Sequence, residues 1–118
     1  MLPVYRRMAG GPRADRVSSE APQIQEILQV DRMIHEPARL AIMKILDSVG
    51  EADFLYLRRE GGFTQGNLSG HLARLEEAGY VGIEKTFKGK LPLTVCSLTG
   101  TGRTAFAKYC RLIVRLLR

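Results

Sequence analysis

The apolar residues in the first half of the chain recur with the period of an α-helix. After Pro22, one helix face is formed by Ile24, Ile27, Leu28 and Ile34. A second helix is expected from Pro37 to about Ser48. Proline suits the first turn of a helix, because an N–H at that position would have no hydrogen-bond partner within the helix. A third, short helix is expected after Asp53, a residue suited to the N-cap. Its buried side chains are predicted to be Phe54, Leu55 and Leu57.

The helix predicted over residues 64–78, with Thr64 as its N-cap, is the most informative segment. Its apolar residues form one narrow stripe, made by Leu68, Leu72 and Leu75. The opposite face is small and polar over its first two turns, where it carries Gly66 and Gly70. A glycine inside a helix costs about 1 kcal/mol relative to alanine. That cost is understandable if another surface has to approach closely, and the major groove of DNA is such a surface.

After Gly79 the apolar residues alternate with polar ones, which is the period of a β-strand. Strands are predicted over residues 80–85 and 93–98, with a turn over residues 86–92 that has Gly89 at its tip. A hairpin directly after a helix-turn-helix is a wing. Pro92, near the start of the returning strand, requires an edge position there.

The last predicted helix, from Thr99 to about Leu117, has apolar residues on more than one face. One line can pack on the core, and the other would leave an apolar strip on the surface of a monomer. A second copy of the chain is the simplest partner that could cover the strip. We therefore expect a homodimer, whose interface is predicted to include Ile27, Val30, Met33, Tyr109, Leu112, Ile113 and Leu116.

Residues 1–22 contain three prolines and a Gly-Gly pair without sustained periodicity. They are predicted to be a flexible N-terminal arm, which leaves residues 23–118 as one domain. The formal net charge of the chain is +6, and residues 80–118 alone hold eight basic residues and one acid, Glu84. This concentration favours a surface that faces a polyanion, although a solvated basic face without a partner is an alternative at this level.

Groups that could support catalysis or metal binding are sparse. No pair of histidines or cysteines has metal-ligand spacing, and the four such residues are His35, His71, Cys96 and Cys110. The two adjacent glutamates at 76–77 cannot converge on one reacting bond. No apolar run approaches the roughly 20 residues that cross a bilayer, and the N-terminus lacks the apolar core of a secretory signal. We expect a cytoplasmic protein that is not an enzyme, binds no cofactor and contacts no membrane.

Three fragments, in order, carry a resemblance to a known family. They read I-H-E-P-A-R-L-A-I-M at 34–43, N-L-S-G-H-L-A-R-L-E-E-A-G-Y-V at 67–81 and L-T-G-T-G-R-T-A-F at 98–106. Over roughly residues 31–106 the chain resembles small stand-alone winged-helix transcriptional regulators, near the multiple-antibiotic-resistance (MarR) and arsenical-resistance (ArsR) repressors. The resemblance implies an α+β, mainly α fold: a winged helix-turn-helix with a two-stranded hairpin wing and a C-terminal dimerisation helix. It also implies double-stranded DNA as partner, with helix 64–78 in the major groove and wing 86–92 on the backbone or minor groove.

The residues expected to contact DNA lie on the outer face of the predicted recognition helix and on the wing. They are Thr64, Gln65, Asn67, Ser69, Gly70, His71, Arg74, Lys88 and Lys90. Asparagine and glutamine can pair with adenine edges and arginine with guanine, whereas the wing lysines would bind phosphates and position the protein. For His71 two interpretations stay open: a DNA contact, or a residue on the flank of the core that hydrogen-bonds to the backbone.

The sequence therefore predicts a sequence-specific regulator of transcription that binds double-stranded DNA as a homodimer. The alternative is a winged-helix protein-interaction module whose basic surface binds an acidic partner. A protein-interface anchor would be aromatic or aliphatic, whereas the predicted outer face of helix 64–78 is polar and rich in glycine. Whether a small-molecule effector binds is left open, because no constellation of polar residues indicates a site for one.

Overall fold

The computed structural model describes residues 24–118, so the predicted arm at 1–22 lies outside the described residues. The elements are a 3-10 helix Ile24–Gln29, α1 Pro37–Val49, β1 Glu51–Asp53, α2 Phe54–Gly61, α3 Gln65–Glu77, β2 Val81–Lys88, β3 Leu91–Leu98 and α4 Gly100–Leu117. The three strands form one antiparallel sheet in the order β1-β3-β2. The predicted mainly helical α+β architecture, with a hairpin after the third α-helix, is confirmed.

Each α-helix begins where the sequence supplies a capping side chain. The caps are Glu36, Asp53, Thr64 and Thr99, and each accepts a hydrogen bond from the N–H three residues later, at 2.8–3.1 Å. Such a bond satisfies one of the N–H groups that the first turn leaves unpaired. Gly62, with φ of 69°, ends α2 in the left-handed conformation that glycine adopts without strain. The predicted starts at Asp53 and Thr64 are confirmed.

The hydrophobic core lies between α1, α2 and α3 on one side and the sheet on the other, and α4 closes it. Its members are Ile34, Ile42, Met43, Leu46, Ala52, Leu57, Leu68, Leu72, Leu75, Val81, Cys96, Leu98, Phe106 and Tyr109. The predicted stripe on α3 is therefore buried as expected. Full burial of one leucine contributes roughly 1.5–3 kcal/mol, so this stripe fixes which face of α3 points outward.

The first predicted helix is wrong in extent. It is a 3-10 helix of six residues, none of them buried, and the chain then turns. The turn forms because the Asp31 carboxylate accepts hydrogen bonds from the N–H groups of Met33 and Ile34, at 2.9 and 3.3 Å. As a result Ile34 reaches the core, while Ile24 and Leu28 stay exposed.

The predicted burial of Leu55 is also wrong, because its side chain is 47% exposed. Residues two positions apart in a helix point in nearly opposite directions. Leu57 takes the core-facing position of α2, so Leu55 faces away from the core. Phe54 is half-buried and packs against the core, in the direction that the sequence predicted.

The hairpin has longer strands and a tighter turn than predicted. Lys88 pairs with Leu91, so the turn consists of Gly89 and Lys90 alone, and Gly89 has φ of 64°. The third strand, β1, is an addition to the predicted hairpin, and it pairs with residues 95–97. Because β1 extends no farther, Pro92 has a neighbouring strand on one side only, in agreement with its predicted edge position.

Candidate nucleic-acid interface

The outer face of α3 is open to solvent along its length. Its exposed residues include Thr64, Gln65, Gly66, Asn67, Ser69, Gly70, Ala73, Arg74 and Glu77. All of the predicted contact residues on this helix except His71 belong to this set. The Thr64 hydroxyl accepts a hydrogen bond from the Asn67 N–H at 3.1 Å, so its first role is to start the helix.

The two glycines on this face are not required by packing within the protomer. A Cβ built on Gly66 or on Gly70 meets no atom within 4 Å. By contrast, a Cβ on Gly102 would lie 2.0 Å from the backbone oxygen of Tyr80, so that glycine is needed for the fold. Gly66 and Gly70 each cost about 1 kcal/mol of helix stability. Nothing in the described residues therefore requires these two positions to be glycine.

A buried arginine that sequence reasoning missed connects α1 to α3. Arg39 is 8% exposed, and its Nε donates to the Met33 oxygen at 2.6 Å. Its Nη1 donates to Nδ1 of His71 at 3.3 Å, and the Glu36 carboxylate lies 3.9 Å from the same nitrogen. The pKa of Glu36 is lowered, chiefly because its carboxylate accepts a hydrogen bond from the Arg39 N–H. The bond between Arg39 and His71 connects α1 to α3.

His71 therefore lies on the flank of the core, the second of its two interpretations. Its side chain is only 19% exposed and faces the Arg39–Glu36 pair on α1. Its partners are side chains, whereas the expectation was a backbone group. Because Arg39 can only donate, Nδ1 of His71 accepts and has no proton in this arrangement. The signal for this contact was the arginine in I-H-E-P-A-R, three residues after the capping Glu36.

Two tyrosines attach the turn before α1 to the rest of the domain. The Tyr80 hydroxyl donates a hydrogen bond to the Asp31 carboxylate, which raises the pKa of Tyr80 to about 12. The Tyr109 hydroxyl is hydrogen-bonded to Nδ1 of His35 at 2.7 Å. Tyr109 is 5% exposed within one protomer and is a core residue. Its predicted place in a dimer interface needs correction, because little of its surface remains for a partner.

The other predicted interface residues lie along α4 and the turn before α1. Val30, Met33 and Ile113 are half-buried against the core, and Leu112 and Leu116 are half-buried. Ile27 is 45% exposed on the 3-10 helix. Arg115 of α4 donates to the Glu26 carboxylate at 2.8 Å, so the two terminal elements lie side by side.

The tip of the hairpin combines basic and apolar residues. Lys88 and Lys90, the predicted phosphate contacts, are exposed, as is Lys85 closer to the base of β2. Next to these lysines, Phe87 is 68% exposed and Leu91 is 70% exposed. Both apolar residues stand in the predicted turn 86–92, where no apolar role was expected.

The surroundings of both cysteine thiols favour the neutral form. Burial raises the pKa of Cys96 to about 11 and also raises the pKa of Cys110. Both thiols are therefore protonated at neutral pH. Within residues 24–118, no group of three or more His, Cys, Asp or Glu side chains could hold a metal ion. Across the same residues, no helix has the length and apolar character needed to cross a membrane.

Residues 38–117 match the sequence profile of a family described as "Winged helix DNA-binding domain". The chain belongs to this family. The match runs from α1 through α4 and so includes the exposed face of α3 and the hairpin. The resemblance carried by the three sequence fragments is confirmed. Since the family is one of DNA-binding domains, the prediction that the protein is not an enzyme is confirmed as well.

Individual proteins are similar to this chain over most of its length. An uncharacterized protein of Methanocaldococcus jannaschii is 34% identical over 86 residues, which are 72% of this chain and 92% of that protein. A solved transcriptional regulator homologue from Pyrococcus horikoshii OT3 has 27% identity and a TM-score of 0.69. That alignment covers 80% of this chain and 98% of the other.

Two further solved structures share the fold at lower identity. The transcriptional repressor BigR from Xylella fastidiosa aligns with a TM-score of 0.57 and 24% identity, over 77% of this chain and 87% of its own. A MarR-family transcriptional regulator from Silicibacter pomeroyi DSS aligns with a TM-score of 0.55 and 18% identity, over 88% and 73%. These two likenesses show that the fold is shared.

Proposed function

We propose that the protein binds specific sequences in double-stranded DNA as a homodimer and regulates transcription, with α3 in the major groove. The observation that carries the proposal is the outer face of α3. It is exposed and polar, and it contains Gly66 and Gly70, which packing within the protomer does not require. An α-helix fits the major groove of B-DNA, and small residues let its backbone approach the base edges.

Each exposed side chain of α3 has a role that its chemistry suggests. Gln65 and Asn67 can form paired hydrogen bonds with adenine, and Arg74 with guanine. Ser69 can donate to or accept from either kind of base edge. The paired contacts would each contribute about 1–3 kcal/mol of discrimination between bases. Glu76 and Glu77 lie at the far end of α3, where they would be held away from phosphates.

The homodimer is proposed from the apolar surface that one protomer leaves uncovered. Ile27, Leu112 and Leu116 would form the centre of the interface, with Val30, Met33 and Ile113 behind them. The ion pair between Arg115 and Glu26 brings these two segments together at 2.8 Å. A two-fold axis through this surface would place two copies of α3 about one DNA turn, roughly 34–36 Å, apart.

Selection of bound sequences from a random pool of duplex DNA tests this function directly. We expect an enriched pseudo-palindrome with half-sites about 10 base pairs apart, and a dimer in sedimentation at micromolar concentration. Failure to enrich any sequence, together with binding to an acidic peptide, would favour a protein-interaction module. An enriched site without symmetry, bound by a monomer, would remove the homodimer and retain DNA binding.

The wing lysines are expected to set the salt dependence of binding. Each phosphate contact contributes about −0.9 to the slope of log K against log salt. Lys88→Ala with Lys90→Ala should weaken binding to all sequences to a similar extent and flatten the slope by about two units per protomer. Fluorescence anisotropy titrations at several salt concentrations measure both quantities. A double variant with wild-type affinity and slope would exclude these lysines from the interface.

A further inference from the structure

The tip of the hairpin carries two apolar side chains that the fold does not use. Phe87 and Leu91 are 68% and 70% exposed. Ile83 is the last residue of β2 that packs against the core, and a strand rises about 3.3 Å per residue, so Phe87 stands roughly 13 Å beyond that point. Neither side chain can therefore contribute to the core of its own protomer.

The register of the hairpin places these side chains on both of its faces. Phe87 pairs with Pro92, and Lys88 pairs with Leu91. Since paired residues of antiparallel strands project to the same side, one face of the tip carries Phe87 with Pro92 and the other carries Leu91 beside Lys88. The tip of the hairpin is thus a narrow apolar edge, with Phe87 on one face and Leu91 on the other.

Three lysines surround this edge and restrict what could cover it. Lys85, Lys88 and Lys90 are all exposed, and no hydrogen bond or ion pair within residues 24–118 engages their ammonium groups. Contact between the tips of two copies would bring six ammonium groups together, which like-charge repulsion disfavours. A polyanion with an apolar interior could contact both the lysines and the apolar side chains of the tip. Duplex DNA meets this description, because its stacked bases lie between two rows of phosphates.

We propose that Phe87 and Leu91 form an apolar wedge that enters the minor groove beside the half-site, while the surrounding lysines bind the flanking phosphates. The inference rests on the proposed function and specifies how the wing takes part in it. Apolar wedges in the minor groove partly unstack a base step and bend the duplex by about 20–90°. The wedge therefore predicts a preference for flexible pyrimidine–purine steps at positions where α3 makes no base contact.

The test uses the full chain and the duplex obtained by selection, labelled at both ends for energy transfer and carrying 2-aminopurine at the flanking step. Phe87→Thr with Leu91→Thr removes the wedge and retains side chains suited to strands. We expect wild-type protein to shorten the end-to-end distance and increase 2-aminopurine fluorescence. The double variant should do neither, should bind about tenfold more weakly or worse, and should keep the wild-type salt slope because no charge is lost.

The control is the Lys88→Ala/Lys90→Ala protein, which should lose salt slope and retain the fluorescence increase at saturation. If the Thr variant binds and bends the duplex as the wild type does, the wedge is wrong and the proposed function stands. If wild-type protein binds no duplex, both the wedge and the proposed function are wrong. If the Thr variant instead changes only the sedimentation behaviour, the tip is a contact between copies and the wedge is overturned. Circular dichroism of both variants establishes that each is folded.

Discussion

Gly70→Glu is expected to abolish binding to the selected DNA while the domain stays folded. The glutamate would place two methylene groups and a carboxylate in the middle of the outer face of α3. A Cβ at this position meets nothing within 4 Å in the protomer, so the side chain fits the free protein without strain. In the complex, the same side chain would meet base edges and phosphates. At the highest protein concentration tested, the variant should bind the selected DNA no more tightly than it binds a duplex of unrelated sequence.

Two control variants separate the effect of bulk at this site from the effect of added charge. Gly70→Ala should stabilise the free domain by up to about 1 kcal/mol, because alanine is the better helix former and the space is open. Ala107→Glu adds the same charge on the exposed side of α4, away from the core residues Phe106 and Tyr109, and should bind like wild type. If Gly70→Glu folds and binds its site with unchanged affinity, another face of α3, or another element, contacts the DNA.

The features that the sequence predicted correctly depend on local chemistry. Thr64, Asp53 and Pro37 mark helix starts because capping and the missing proline N–H act within one turn. The stripe of Leu68, Leu72 and Leu75 follows from helix periodicity alone. The outer face of α3 could be predicted for the same reason, because the residues opposite a buried stripe of a helix are exposed.

The features that the sequence did not reveal depend on contacts between distant segments. β1 is three residues long and forms only because it pairs with residues 95–97, which no local pattern indicates. Arg39 was assigned no role from the sequence, but it donates to carbonyl groups of the preceding turn and to a histidine on α3. Tyr109 fits an apolar line on α4 equally well as a core or as an interface residue, and in the structure it is 5% exposed and hydrogen-bonded to His35.

The wing was predicted correctly as a hairpin, but the predicted limits of its strands were wrong. Gly89 indicated the turn, and the residues on either side of it have polar or basic character typical of loops. In the structure, cross-strand pairing continues up to Lys88 and Leu91. This longer hairpin is what carries Phe87 and Leu91 away from the core, so the error in the limits concealed the apolar tip.

Gly102→Ala is expected to lower the free energy of unfolding by roughly 1–3 kcal/mol, the usual range for overpacking. The added Cβ would lie 2.0 Å from the oxygen and 2.8 Å from the carbonyl carbon of Tyr80. Both are backbone atoms, so no side-chain rotation can relieve the contact. The same oxygen accepts a hydrogen bond from the Thr99 N–H at 3.0 Å, and the Tyr80 hydroxyl donates a hydrogen bond to the Asp31 carboxylate. Moving this peptide would therefore loosen the start of α4 and the turn before α1 together.

The matched control is Gly100→Ala, in the same helix and two residues earlier. A Cβ on Gly100 meets nothing within 4 Å, so this variant should be neutral or stabilised by up to about 1 kcal/mol. For a domain of this size each kcal/mol corresponds to roughly 4–8 °C in Tm. Urea and thermal unfolding should be compared at one fixed protein concentration, because self-association also raises apparent stability. Equal stability of the two alanine variants would contradict the close approach of α4 to the Tyr80 backbone. A selective loss of stability in Gly102→Ala would explain the second glycine of L-T-G-T-G-R as a packing requirement.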